Sequence, residues 1–183
     1  MKKFKLFALS ALAAFTMASC GDDEVVPEVT SDVTWTKDNI YRLDGRVFVE
    51  NNATLTIEAG TIIKASPGQA AFSSALIITR SGMINAQGTA AEPIIFTSSA
   101  DAIEPGMITS PNMDPSTRGL WGGVIILGEA PISAQNDNDQ DVAELQIEGV
   151  PTSEDALYGG NNDADNSGTL SYVSIRQREG YNT

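Results

Sequence analysis

The stretch best suited to chemistry in this 183-residue chain is DADNSG, Asp163 to Gly168, where side-chain oxygens recur at every second position and a glycine follows. Asp163, Asp165 and Ser167 with Gly168 match the first half of a calcium loop, in which hard oxygen donors alternate and glycine turns the chain around the ion. A helix–loop–helix site would need a bidentate glutamate at the twelfth position, which here is Ser174, so that form is excluded. A second alternation, Asp137, Asp139 and Asp141, lacks the glycine. Between Arg118 and Arg176 stand ten acids, Glu129 to Asp165, and no lysine or arginine. A bound cation would relieve their repulsion, and a solvated acidic face would tolerate it. Asx turns account for both runs without any metal, so calcium at Asp163, Asp165 and Ser167 stands beside that plainer reading.

Other chemistries are narrower still. The chain has no histidine, which removes the usual serine or cysteine triad. Its one cysteine, Cys20, has no second thiol or imidazole to share a metal with, and no disulfide is possible within one chain. "GLWGG", Gly119 to Gly123, lacks the lysine and spacing of a phosphate loop and suits tight packing beside Trp121. Arg42, Arg46, Lys64, Arg80 and Arg118 are available as bases or anion ligands, but no spacing singles one out and surface ion pairs explain them equally. Trp35, Tyr41, Trp121 and Tyr158 could stack on sugar rings or serve the core and its caps. No catalytic constellation is visible.

Cys20 has an address to give instead. Lys2, Lys3 and Lys5 precede an uncharged apolar run, Leu6 to Met17, too short to span a bilayer as a helix. Ala18 and Ser19 then lead directly to the cysteine, the order of a secretory signal. "MASC" resembles the lipobox of bacterial lipoproteins, with Met17 where leucine is usual. The resemblance implies removal of residues 1–19 as a signal peptide, a diacylglyceryl group on the Cys20 sulfur and further acylation by palmitate-like chains. Gly21 in place of aspartate omits the common inner-membrane retention signal. Asp22, Asp23 and Glu24 resemble the acidic tract that directs some Gram-negative lipoproteins to the outer face of the outer membrane. Residues 20–32 read as an acidic, flexible tether.

Loss of Lys2, Lys3 and Lys5 leaves eight cationic residues against 24 acids, a formal charge of −16. Such a chain repels nucleic acid and anionic lipid headgroups. Its lipid would tie it to the outer membrane, and its expected partner is an extracellular glycan or protein.

The elements that would position any site come from a repeat. "VFVENNATLTIEAGT", Val47 to Thr61, aligns with "LIITRSGMINAQGT", Leu76 to Thr89, across a single-residue gap. Val47, Val49, Leu55 and Ile57 fall on Leu76, Ile78, Ile84 and Ala86. A third copy, Val124 to Ala134, places Val124, Ile126, Ile132 and Ala134 on the same positions. Each copy is a period-two strand, a turn rich in Asn or Gly, and a second such strand. Stacking such coils buries an interior that no single coil could bury.

The repeat resembles a right-handed parallel β-helix, and more specifically a largely uncharacterised family of bacterial outer-surface lipoproteins. The stretches that carry the likeness are "TLTIEAGTIIKA", "GTAAEPIIFTS", "GLWGGVIILGEAPI", "IEGVP" and "DNSGTLSYVSI", spread over Asp44 to Ile175. The expected fold is all-β, a short solenoid of about three to four coils over residues 33–183, interrupted by Ser98 to Thr117 and by Ala134 to Gly168. Val33 to Tyr41, with Trp35 and Ile40, is expected to cover the first coil. The family's members run on through further coils, so the chain reads as an N-terminal fragment whose last strand, Val173 to Ile175, lacks a cover. Two functions follow. One is a surface lipoprotein that displays loops for binding or adhesion. The other, from the likeness to β-helical polysaccharide lyases, is the first part of a glycan-active enzyme whose catalytic coils lie beyond Thr183.

Overall fold

Short apolar–polar runs separated by Asn and Gly turns cannot bury a face alone, and here they wind into coils whose strands stack in register. The structure, a computed structural model, describes residues 23–68, 72–136, 138–150 and 154–178. After β1 (Glu24–Val25), the first complete coil consists of β2 (Val33–Trp35), β3 (Ile40–Leu43) and β4 (Arg46–Val49). The second holds β5 (Thr54–Ile57), β6 (Ile62–Ala65) and β7 (Ala75–Ile78). The third holds β8 (Met83–Gln87), β9 (Ile94–Ser98) and β10 (Gly123–Ile126). Two antiparallel pairs follow outside the solenoid, β11 (Ala134–Gln135) with β12 (Asp141–Val142) and β13 (Glu144–Gln146) with β14 (Leu157–Gly159). A partial coil, β15 (Gly168–Ser171) and β16 (Val173–Ile175), completes the stack.

Three parallel sheets result. The first face runs β1-β3-β6-β9-β16, the second β4-β7-β10 and the third β2-β5-β8-β15. This is a right-handed parallel β-helix, as the repeat implies. The registers reproduce the sequence alignment: Val47, Leu76 and Val124 stack, as do Val49, Ile78 and Ile126. Leu55 stacks on Ile84 and Ile57 on Ala86. Leu55, Leu76, Ile78 and Ile84 are fully buried, and each such side chain contributes about 1.5–3 kcal/mol.

The turns follow the side chains that build them. Asn51 and Asn52 both take left-handed backbone, φ 57° and 62°, between β4 and β5, a conformation Asn tolerates better than most residues. Gly168 enters β15 at φ 124° and so close to β8 that a Cβ would lie 1.8 Å from the Ile84 carbonyl oxygen.

Four expectations change. The third copy follows the repeat only through β10: the chain then leaves the solenoid, so Ile132 and Ala134 stack on nothing, and β15 takes the place predicted for them. Among the described residues no strand covers β10 in the stack, and Ile126 is 41% exposed despite its inward phase. Val33 to Tyr41 is no cap but part of the first complete coil, where Trp35 and Tyr41 are buried and stacked at 5.0 Å. The tether read over residues 20–32 is part of the folded body from Glu24 onward. Glu24 and Val25 pair with Tyr41 and Arg42, Val29 bridges Val49, and Val26 and Val29 join the core. Its valines supply the apolar surface that the acids around them conceal in a composition-based reading.

The strands of the first two faces carry apolar residues on both sides. Ile40, Ile62 and Ile95 point outward from the first face, and Ile103 of the 99–122 connection covers them. Phe48, Ile77 and Ile125 point outward from the second, where Leu127, Ile147, Val150 and Tyr158 of the 127–167 connection cover them. The long connections are the second layer of the core, which explains why β6, β7 and β9 are buried at every residue.

Candidate functional site

Between the second face and the β13–β14 hairpin lies a groove of about 980 Å³. Its floor is Ile125 and Leu127, its roof Leu145, Ile147 and Tyr158, and Gln135, Asn136 and Glu148 supply polar groups. The roof is held by charge-assisted bonds. Arg80 Nη1 meets Glu144 Oε1 at 2.6 Å and donates to the Gly159 carbonyl at 3.2 Å. Arg46 Nη2 donates to the Gly149 carbonyl. Gly159 N donates to Gly128 O at 2.8 Å, and Asn162 N to Glu129 O at 3.1 Å. The hairpin is thus anchored along both strands, and an apolar trough with a few polar groups is the usual form of a ligand site.

A second recess, about 820 Å³, opens beside it and is acidic: Glu28, Asp44, Glu50 and Asp155 line it with Arg46. Burial raises the Glu50 carboxyl above its ordinary value, and the charges of Asp155 and Glu28 and a hydrogen bond with Asp155 raise it further. Asp155 belongs to the 3₁₀ turn Glu154–Ala156, which leads into β14. The pair therefore sits where the insertion meets the solenoid.

The residues singled out from sequence are placed as follows. Cys20 and the signal segment lie outside the described residues. Asp163 is exposed, and its loop is organised by asparagines: Asn162 Oδ1 accepts from Ala164 N at 3.1 Å and Asn166 Oδ1 from Gly168 N at 3.0 Å. These are the Asx turns of the plainer reading. Among the described residues no group of three or more His, Cys, Asp or Glu is arranged to hold a metal, a finding that does not extend to the two aspartates and serine at Asp163, Asp165 and Ser167.

The cationic candidates are dispersed. Arg42 and Lys64 are register partners on the outer side of the first face. Lys64 is 6% exposed, with Glu104 4.0 Å away, and the Arg42 Nε is buried without a hydrogen-bond partner. Arg46 and Arg80 hold the hairpin, and Arg118 stands on the other insertion. Of the four aromatic candidates, Trp35, Tyr41 and Trp121 are core residues, with the Trp121 indole donating to Arg176 O at 2.7 Å. Tyr158 alone of the four lines the groove. The groove was missed in the sequence because its floor and roof are separate apolar runs. The doubly apolar strands "ALII" and "VII" were the available signal.

A family model described as a pectate-lyase-like β-helix domain matches residues 27–182. No curated protein and no solved structure matches the chain.

Proposed function

The chain belongs to the pectate-lyase-like β-helix domain family, and from that premise we propose that it is a lipid-anchored cell-surface protein whose solenoid displays a groove for extracellular binding, with a glycan as the favoured ligand. The observation that carries this reading is the groove itself, an apolar trough of about 980 Å³ whose lining includes Tyr158, Gln135 and Asn136. An aromatic ring and amides in one groove suit a sugar, which offers C–H on its faces and hydroxyls at its edge. Support for the anchor comes from "MASC" and its single cysteine.

Retention of the protein on immobilised envelope and cell-wall polysaccharides tests the reading. Tyr158→Leu keeps an apolar side chain on the Ile77–Leu127 cluster but removes the ring, and is expected to weaken retention about three- to tenfold. Unaltered retention, or none by the native protein, refutes glycan binding at this groove.

The family description favours a second reading, a polysaccharide lyase. Fold alone does not assign activity. Incubation with acidic polysaccharides and calcium, followed by ultraviolet detection of unsaturated uronate ends, decides it: their appearance supports the enzyme and their absence rejects lyase action by this chain.

A further inference from the structure

Eight lysines and arginines fall within residues 23–178, and three of them, Arg118, Arg176 and Arg178, line a single cleft of about 460 Å³. Among the described residues no acid lines that cleft. Thr109, Ser110 and Gln177 add polar groups, and Ile108, Met113 and Ile175 an apolar border. The concentration is notable in a chain of net charge −13. Arg118 Nη1 donates to the carbonyls of Pro115 and Thr117 at 2.6 and 2.8 Å. Arg176 donates to Ser174 Oγ at 2.9 Å and to the Ile108 carbonyl at 2.7 Å. Both guanidinium groups are oriented by neutral acceptors, which fix the fork without neutralising it. Asp114, whose charge interacts with Arg118, is engaged by Ser116, whose N and Oγ donate to Asp114 Oδ1 at 2.7 and 2.6 Å. These two bonds are also the main reason its carboxyl lies below the ordinary range, the Arg118 charge being the lesser one.

The backbone beneath the arginines is held in place. Gln177 has φ 50°, a left-handed conformation that costs a non-glycine residue about 1 kcal/mol or more. Three bonds from the segment before β10 oppose any relaxation: Trp121 Nε1 to Arg176 O, Leu120 N to Gln177 O at 3.0 Å and Gly119 N to Arg178 O at 3.0 Å. From below, the buried Asp101 accepts from Thr97 Oγ1 and from Ser110 Oγ, each at 2.7 Å. Thr97 Oγ1 also contacts the Gln177 amide. Thr97 has one hydroxyl proton, which Asp101 and the Gln177 amide oxygen both face. Arg176 and Arg178 thus flank a residue fixed from both sides, on a floor that needs no ligand to form.

We propose that the cleft bordered by Arg118, Arg176 and Arg178 binds a single anionic group, a carboxylate, sulfate or phosphate monoester, carried by an otherwise uncharged ligand. Guanidinium forks match the paired oxygens of these groups. A polyanion would meet repulsion from the rest of an acidic surface, whereas one anionic group meets only the local field, and the apolar border accepts its uncharged remainder.

The test is titration of the full chain with acetate, methyl sulfate and methyl phosphate at constant ionic strength, followed by ligand-observed nuclear magnetic resonance and thermal melting. Saturable binding of at least one probe is expected, and the three arms identify which anion the cleft prefers. Arg118→Gln and Arg176→Gln are each expected to weaken it about tenfold or more, the equivalent of one charge-assisted bond. Lys37→Gln, on an exposed ion pair with Glu92 outside the cleft, should leave it unchanged. Circular dichroism verifies that each variant is folded. Linear, non-saturating responses to all three anions, or saturable binding that survives both arginine variants, would overturn the proposal.

Discussion

Glu50 and Asp155 bring two carboxyl groups together where the insertion meets the solenoid, with Glu28, Asp44 and Arg46 facing the same recess. Burial first, then Asp155 and Glu28, hold the Glu50 carboxyl above its ordinary value of 4.5. The folded chain therefore keeps a proton over an interval in which the unfolded chain has lost it. The stability linked to Glu50 is fully present below the unfolded carboxyl range and is lost as pH rises through the raised value. Chemical denaturation across a pH series should show that decline, and Glu50→Gln should flatten it. An unchanged slope would mean that Glu50 does not hold the extra proton in the folded chain. None of this was legible in the sequence, where Glu50 and Asp155 are over a hundred positions apart. The DADNSG loop was legible as a loop. Its chemistry was not, because alternating oxygens suit an Asx turn and a cation equally until the donors are placed. Arg118 was visible only as one dispersed cation, since the partners that make a cleft of it come from the partial fourth coil.

At the level of the strand, the repeat revealed the inward phase because each rung must present an apolar residue at the same position as its neighbours. Ile57 is 2% exposed and stacks between Trp35 on one rung and Ala86 on the next. Ile57→Asp would bury an unpaired carboxylate and is expected to cost about 3–5 kcal/mol, enough to unfold a domain of this size. Thr56→Asp, on the outward side, should stay within about 0.5 kcal/mol. Ile126→Asp should fall between them, since at 41% exposure its charge keeps part of its water. Urea midpoints give the order, and equal losses at Ile57 and Thr56 would refute the strand phase. What the repeat concealed is the outer layer. Phe48, Ile77 and Ile125 form a ladder on the convex side, and only the fold reveals that the hairpin covers it. A long loop in the sequence reads as an insertion free to carry function, whereas here much of it is core, and the groove is the space its packing leaves. β1 was concealed in the same way, by two acids and a proline around the valines that dock.

The whole molecule is a stack with two unlike ends. Five strands on the first face are separated by about 4.8 Å each, so the stack is about 19 Å deep from β1 to β16. Glu24 already belongs to the sheet, and Cys20 stands four residues before it. A fully extended chain of four residues reaches about 14 Å at most. If Cys20 carries the lipid, the first coil must lie near the membrane surface, with the arginine cleft at the distal end of the stack. The short reach also means that the negative charge of the body is held near the headgroups, where anionic lipid would repel it. A fluorophore at Thr30→Cys should therefore be quenched by headgroup-labelled lipid more strongly than one at Tyr172→Cys, both positions being exposed. Insertion of about a dozen Gly/Ser residues after Gly21 should reduce the difference, because a flexible linker of that length spans about 20 Å. Cys20→Ala should abolish partitioning into vesicles and palmitate labelling together. Equal quenching at the two positions in the native chain would refute the short-tether geometry, and vesicle binding that survives Cys20→Ala would refute the anchor.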